Sequence, residues 1–325
     1  MDYIKIYADF LKKKLSPQKK LKVVFDCSNG TTGLILKQLI TNNKQLITHF
    51  INDKIDGNFP AHGPNPSEIG ALEQLQTAVL KEKADLGAIF DADGDRVFFI
   101  DNLGIFIDAD VIGRLLIWHL NPKKIVIDTR AGWLIKKLTA NNLQLTISRA
   151  GHYFIKKLMR KIKADFGAEK SGHYYFAIKE ADKEKLYIDS GILAAVEAIN
   201  AISKLPYSLA DFNDLLPQYY RSGEINININ SVNIQTQPDN INEILKKIEE
   251  NFKNQFTDQL KISYIDGLTI ESAPPTGGWW FNLRPSNTEP VLRLNIEAEN
   301  QEILDDLIKK LILYLNNNTK NTLHS

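Results

Sequence analysis

The stretch Ala88-Ile89-Phe90-Asp91-Ala92-Asp93-Gly94-Asp95-Arg96-Val97-Phe98-Phe99-Ile100-Asp101 holds the most concentrated chemistry in the chain. An apolar run stops at three aspartates, one at every second position, and an arginine follows. If the run is a strand, the aspartates lie at its C-terminal end, where open α/β sheets keep their ligands. Alternate spacing aims the three carboxylates into one small volume, and their repulsion is costly unless a cation sits among them. Hard oxygen donors suit Mg²⁺, which keeps positions open for water or a substrate phosphate. Arg96 can clamp a phosphoryl group beside it through paired N–H donors. An exposed turn rich in Asp and Gly is the alternative. An EF-hand does not fit: its glycine belongs at the sixth loop position and its glutamate at the twelfth. Here the glycine is fourth and the twelfth residue is Asn102.

Three more loops carry usable groups. Gly167-Ala168-Glu169-Lys170-Ser171-Gly172-His173 places a carboxylate, a lysine, a hydroxyl and an imidazole between glycines. Glu169 and Ser171 are two residues apart and can point the same way, and a carboxylate accepting from vicinal hydroxyls is a way to hold a sugar ring. His173 can give or take a proton at neutral pH. A charged hairpin turn is the competing reading. Arg284-Pro285-Ser286-Asn287-Thr288-Glu289-Pro290 offers a guanidinium, two hydroxyls and an amide, the donors a phosphate dianion wants. Arg293 lies just beyond, and a plain turn is again the alternative. In Gly151-His152-Tyr153-Phe154-Ile155-Lys156, Lys156 can add a cation to an anion site at a helix N-terminus, or be a solvated lysine on a charged helix face.

These loops need elements to position them. Residues 3–15 have helical spacing, and Leu21 to Asp26 is a short buried strand. Ser28-Asn29-Gly30-Thr31-Thr32-Gly33 then turns the chain into a helix from Leu34 to Leu39. This is not a GxGxxG, so a tight turn is favoured over a phosphate cradle. Ser67 is a candidate N-cap for the helix through Leu72, Leu75, Val79 and Leu80. Ala84 to Phe90 is the strand that delivers the aspartates. The pattern repeats: helix 108–120, strand 124–128, helix 133–138, strand 143–148, a basic helix with Ile155, Leu158, Met159 and Ile162, strands near 165–166 and 174–178, and helix 192–202. Two α/β units therefore stand in tandem. Composition shifts near Pro217 to Gly223. Beyond it, alternating Ile225, Ile227 and Ile229, a helix over 241–252, strands near 260–273, 278–284 and 291–297, and a helix over 300–315 predict a smaller α+β domain. Trp279 and Trp280 read as core, and the polar tail from Asn316 as frayed.

The chain has 325 residues and a net charge of +1, which gives no electrostatic reason for a nucleic-acid or membrane surface. A lone cysteine, Cys27, rules out an internal disulfide and fits a reducing compartment. The N-terminus lacks the pattern of a signal peptide, and no apolar run is long enough to span a membrane. A cytoplasmic protein is expected.

Four loops in this order resemble those of one family, the α-D-phosphohexomutases (phosphomannomutase/phosphoglucomutase). Asp91-Ala92-Asp93-Gly94-Asp95-Arg96 resembles its metal loop, Gly167 to His173 its sugar loop, and Arg284 to Pro290 its phosphate loop. Arg149-Ala150-Gly151-His152 with Lys156 resembles the segment before the sugar loop. Ala168 stands where the family often has glycine, and Ser190 where it often has a second aspartate. The resemblance implies two tandem α/β domains followed by an α+β domain, over 1–104, 105–221 and 222–325, matching the family's second, third and fourth. It implies Mg²⁺ held by Asp91, Asp93 and Asp95, and Arg96 on the transferred group. Glu169 and Ser171 would hold sugar hydroxyls, and Lys156 and His173 would move protons or contact phosphate. Arg284, Ser286, Asn287, Thr288 and Arg293 would grip the non-reacting phosphate. The family interconverts hexose 1-phosphate and hexose 6-phosphate through a hexose 1,6-bisphosphate that turns over in the site, using a phosphoserine in its first domain. No serine here is followed by His-Asn-Pro. A truncated or split enzyme, inactive alone, with a first domain encoded separately, is therefore expected. A non-catalytic binder of sugar phosphate and Mg²⁺ and a Mg²⁺-dependent phosphatase are the rival readings.

Overall fold

Apolar runs of about five residues become the inner strands of three five-stranded sheets. The computed structural model describes residues 1–138, 142–179, 184–228, 238–256, 260–272, 278–286 and 289–318. It divides into two compact units. One is Met1–Thr146 with Gly151–Pro217; the other is Gln218–Ser325 with Ile147–Ala150.

The first unit begins with α1 (Tyr3–Lys14), β1 (Leu21–Asp26), α2 (Thr32–Ile40), β2 (Leu46–Ile51), α3 (Glu73–Glu82), β3 (Leu86–Phe90), β4 (Val97–Asp101) and β5 (Phe106–Ile107). The sheet order is β2-β1-β3-β4-β5, with β1 parallel to β2 and β3, and β3–β4 and β4–β5 antiparallel. β3 and β4 are buried along their whole length, which is why both read as continuous apolar runs. Val24, Ile89, Phe98 and Ile100 pack against Leu75 and Val79 of α3. Each such buried side chain contributes on the order of 1.5–3 kcal/mol.

The unit continues with α4 (Ala109–Leu120), β6 (Lys124–Asp128), α5 (Trp133–Lys136), β7 (Gln144–Ser148), α6 (His152–Ile162), β8 (Phe166–Ala168), β9 (Tyr174–Ile178), β10 (Leu186–Asp189), α7 (Gly191–Lys204) and α8 (Leu209–Asp214). Its sheet runs β7-β6-β8-β9-β10, the same order of strands as the first. β6 is parallel to β8, and β8–β9 and β9–β10 are antiparallel. α1 and the segment after it are fastened to α7. Tyr7 Oη bonds Ser190 Oγ, Ser16 N–H donates to Asn200 Oδ1 (2.8 Å), Gln18 N–H to Ser203 Oγ (2.9 Å), and Asn200 Nδ2 to the Lys14 carbonyl (2.8 Å). Asn200 and Ser203 are buried, so these bonds satisfy groups that would otherwise be costly to desolvate.

The second unit holds β11 (Tyr220–Asn228), α9 (Pro238–Gln255), β12 (Leu260–Ser263), β13 (Leu268–Ser272), β14 (Trp279–Pro285), β15 (Val291–Ala298) and α10 (Gln301–Asn318). Its sheet, β11-β15-β14-β13-β12, is antiparallel throughout. Leu245, Ile248 and Phe252 of α9 and Leu304, Leu307 and Leu311 of α10 cover it, and Trp279 lies in that core. Trp280 is buried too, its indole N–H donating to Glu297 Oε1 (3.1 Å).

Three local expectations change. Ser67 does not cap α3: the helix starts at Glu73 with Leu72 as N-cap. Ser67 N–H instead meets Asn65 Oδ1 (3.1 Å), an Asx turn that competes with helix initiation. The helix expected over 133–138 ends at Lys136. The last helix runs to Asn318, past the expected start of the tail, and residues 319–325 lie outside the described residues.

Candidate functional site

β3 ends at Phe90 and delivers Asp91 into a loop held from behind by the turn after β1. Ser28 Oγ donates to the Phe90 carbonyl (2.5 Å) and Thr31 N–H to the Ala92 carbonyl (2.9 Å). A Cβ on Gly30 would stand 2.1 Å from the Ala92 oxygen, so only glycine allows this approach. The Ser28–Gly33 turn is thus a buttress for the aspartates. Gly94 sits at φ +78°, and a Cβ there would also collide with Thr32 Cγ2 at 2.4 Å.

One oxygen from each of Asp91, Asp93 and Asp95 lies within 4.8 Å of the others. Asp91 is buried: Oδ1 accepts from the Gly94 and Arg96 backbone N–H groups (both 3.1 Å) and Oδ2 from Arg96 Nε (2.6 Å). Arg96 Nη1 reaches Asn65 Oδ1 (3.2 Å). Burial pushes the Asp91 carboxyl up to about 6 despite Arg96. A hydrogen bond from His173 holds Asp95 down at about 2. Asp93 is exposed and has no partner among the described contacts. Three hard oxygens, one of them unspent, suit a small divalent cation.

The loop between β8 and β9 lies beside this one. Val97 N–H donates to the Gly172 carbonyl (3.1 Å), Arg96 and His173 form an isolated antiparallel bridge, and His173 Nε2 is 3.2 Å from Asp95 Oδ2. The other ring nitrogen, Nδ1, is 3.0 Å from Ser171 Oγ. Burial works against the charged form of His173, but Asp95 and Glu169 outweigh it and raise its pKa. Glu169 is 6% exposed. Its Oε1 accepts from Arg130 Nη2 (2.8 Å) and the Gly151 backbone N–H (3.0 Å), and its Oε2 from Tyr175 Oη (2.7 Å). The N-terminus of α6 is therefore already occupied by a carboxylate, as its dipole favours.

Lys156 is placed elsewhere, its Nζ held by both oxygens of Asp189 on β10 (2.9 and 3.0 Å). Lys170 reaches Asp108 (2.6 Å) and Asp110 (3.1 Å). Arg130 and Tyr175 complete the surroundings of Glu169, and neither stood out in the sequence. The available signal was position: Asp128-Thr129-Arg130 leaves β6 as Asp26-Cys27-Ser28 leaves β1.

In the second unit, Arg284 is 7% exposed at the end of β14, with Arg293 opposite it on β15. Ser286 N–H donates to the Val291 carbonyl (2.9 Å), closing the loop. Asn287 and Thr288 lie outside the described residues.

Three family models match in sequence: phosphoglucomutase/phosphomannomutase alpha/beta/alpha domain II over residues 2–104, domain III over 108–219, and the C-terminal domain over 177–313. A phosphomannomutase of Methanocaldococcus jannaschii is 34% identical over 318 residues, covering 96% of this chain and 65% of that protein. The chain thus spans a little under two thirds of that relative. A phosphoglucomutase/phosphomannomutase family protein from Burkholderia thailandensis has a similar fold, with TM-score 0.77 at 22% identity, over 98% of this chain and 65% of that one. So does an Aspergillus fumigatus N-acetylphosphoglucosamine mutase solved with GlcNAc-6P and magnesium, with TM-score 0.66 at 16% identity, over 97% and 65%. Fold and sequence agree: the chain belongs to the α-D-phosphohexomutase family, the phosphoglucomutases and phosphomannomutases.

Proposed function

We propose that this chain carries the metal-, sugar- and phosphate-binding parts of an enzyme that interconverts hexose 1-phosphate and hexose 6-phosphate of glucose or mannose through a hexose 1,6-bisphosphate. The observation that carries this is the junction of the first two loops, where Asp95 and His173 meet at 3.2 Å. A cluster of carboxylates for a cation and a proton-carrying imidazole sit side by side, as phosphoryl transfer to a sugar hydroxyl requires.

Asp91, Asp93 and Asp95 are the proposed ligands of Mg²⁺. When bound, it neutralises charge on the transferring phosphoryl oxygens. Arg96, anchored through Nε on Asp91, presents its remaining N–H donors to the same group. His173, raised above its ordinary pKa and leaning on Asp95, is the group that passes a proton to or from the sugar oxygen, with Ser171 next to it. Glu169 and Ser171 take sugar hydroxyls, Glu169 through the lone-pair site left by Arg130, Gly151 and Tyr175. Lys156 serves the phosphate only if Asp189 releases it. Arg284, Ser286, Asn287, Thr288 and Arg293 fix the phosphate that does not react, so that binding energy supports positioning.

The mutase cycle also needs a covalent phosphoryl acceptor. The matched family models are domain II, domain III and the C-terminal domain. We assign the acceptor to a first domain outside these 325 residues. Residues 1–325 alone should therefore bind glucose 1-phosphate without turning it over. A coupled assay with Mg²⁺ and bisphosphate should show no rate above that of the Asp91/Asp93/Asp95→Ala triple variant, and a rate on adding a family first domain. Calorimetry should show binding that weakens in Arg284→Ala by about 1.5–3 kcal/mol, the size of hydrogen bonds to a charged group. Binding that ignores both Arg284→Ala and Glu169→Ala would overturn the assignment.

A further inference from the structure

Arg284 and Arg293 are direct cross-strand partners on β14 and β15. Two like charges in that relation repel. What separates them is Glu224 on β11, whose own register partner on β15 is Asn295. Its Oε2 accepts from Arg284 Nη2 (3.1 Å) and its Oε1 from Arg293 Nη1 (3.0 Å). Glu289 takes Arg293 Nη2 (2.8 Å). The side chains of Arg284 and Glu224 are 8% and 28% exposed, whereas Glu289 is 57% exposed. Among the described residues, the Nε atoms of both arginines are buried and have no hydrogen-bond partner. One carboxylate thus spans both guanidiniums.

We propose that Glu224 is a resident competitor for the arginine pair: it occupies them when no phosphate is present and limits how tightly a phosphate monoester is held. This rests on the phosphate-loop reading above. The chemistry is one of like for like. A carboxylate and a phosphate both present oxygens spaced for a guanidinium fork. A phosphate dianion arriving at Arg284 and Arg293 meets the negative charge of Glu224 in a partly desolvated place, where the repulsion is poorly screened. Either Glu224 gives up its bonds or it stays and repels, and both outcomes lower affinity. A weak grip suits a ligand that must be let go and turned round. Tight, uniform binding of substrate and transition state would not speed such a reaction. Glu289 makes a poorer competitor because it holds only Arg293 and is open to water.

The test is a titration of the 325-residue chain with glucose 1-phosphate and with inorganic phosphate, at low and at near-physiological salt. Glu224→Gln keeps the shape and removes the charge. It should bind both ligands about tenfold tighter, the worth of roughly one charged hydrogen bond. Its affinity should also fall more steeply with salt. Glu289→Gln should change binding less than threefold. Glu224→Asp keeps the charge on a shorter arm and should fall between wild type and Glu224→Gln, which gives a second reading if the Gln variant folds poorly. Were Glu224 only a scaffold for the arginines, Glu224→Gln would bind equally or more weakly, and that result overturns the proposal. If Arg284→Ala weakens binding but Glu224→Gln does not tighten it, the competitor falls and the phosphate loop stands. If wild type shows no binding that Arg284→Ala reduces, both fall.

Discussion

The loops after β3 and β8 occupy the same place in two sheets of the same strand order. Both turn on a glycine in the left-handed region, Gly94 at φ +78° and Gly172 at φ +85°. Asp91, Asp93 and Asp95 in the first loop correspond to Glu169, Ser171 and His173 in the second. Their side chains are treated differently. Glu169 is engaged by Arg130, the Gly151 N–H and Tyr175, which leave it about one of its four lone-pair sites. Asp93 has no partner among the described contacts. The neighbouring parallel strands, β1 and β6, both end in a buried aspartate that the protein itself satisfies. Asp26 at the end of β1 is met by His62 (3.2 Å), and Asp128 at the end of β6 by Arg130 (2.5 Å). One copy of the turn is closed by the protein's own charges. The other leaves a charge deficit for something else to fill. The same backbone serves as a strut in one place and a socket in the other, and the carboxylates' partners decide which.

Glu169→Ala should break the strut. It removes a buried carboxylate that bonds Tyr175, the Gly151 N–H and Arg130, the last of which keeps Asp128, and loss of one partner of a buried pair costs about 3–5 kcal/mol. Urea unfolding measures this, and a loss under 1 kcal/mol would erase the distinction between the loops. His62→Ala should cost less, about 1.5–3 kcal/mol at pH 5.5, as a hydrogen bond to the buried Asp26 carboxylate is lost. The Asp26 hydrogen bond raises the His62 pKa, against the effect of burial. The stabilisation is therefore whole below the ordinary value of 6.5 and fades as pH rises through the raised one. The variant should approach wild type in stability at alkaline pH. The Asp128–Arg130 pair should show no such fade, because arginine does not titrate there. Asp93→Ala should move stability least, by under about 0.5 kcal/mol for an exposed side chain, yet it should abolish specific Mg²⁺ binding in calorimetry. Unchanged Mg²⁺ binding would leave the first loop as an acidic turn and no socket.

The socket was legible in the sequence because its information is local: three carboxylates at period two behind a buried run. The strut was less so. Glu169, Ser171 and His173 were visible, but Arg130 lies in the turn after another strand, β6, and nothing near Glu169 announces it. Lys156 read as an anion ligand from its place on α6. Its pairing with Asp189 depends on how α6 lies against β10. Glu224 was invisible for a similar reason, since it meets the arginines only through strand register. β2 and β10 escaped because their residues are mostly half-exposed, so the hydrophobic pattern that marks a strand is diluted. The matching strand order of the two sheets cannot be read from periodicity at all, since it is a property of pairing.

The fastening of α1 to α7 has a consequence in time. Ser16 and Asn200 are 184 positions apart. At synthesis rates of about 5–20 residues per second, the partner emerges roughly 10–40 s after the helix that needs it. During that interval Tyr7, Ser16 and Gln18 lack the side chains of Ser190, Asn200 and Ser203 that they bond in the folded chain. The fastening of α1 is thus completed only once α7 has been made. A ribosome-bound chain stopped before residue 190 should lose its N-terminal segment to limited proteolysis faster than one stopped well beyond α7.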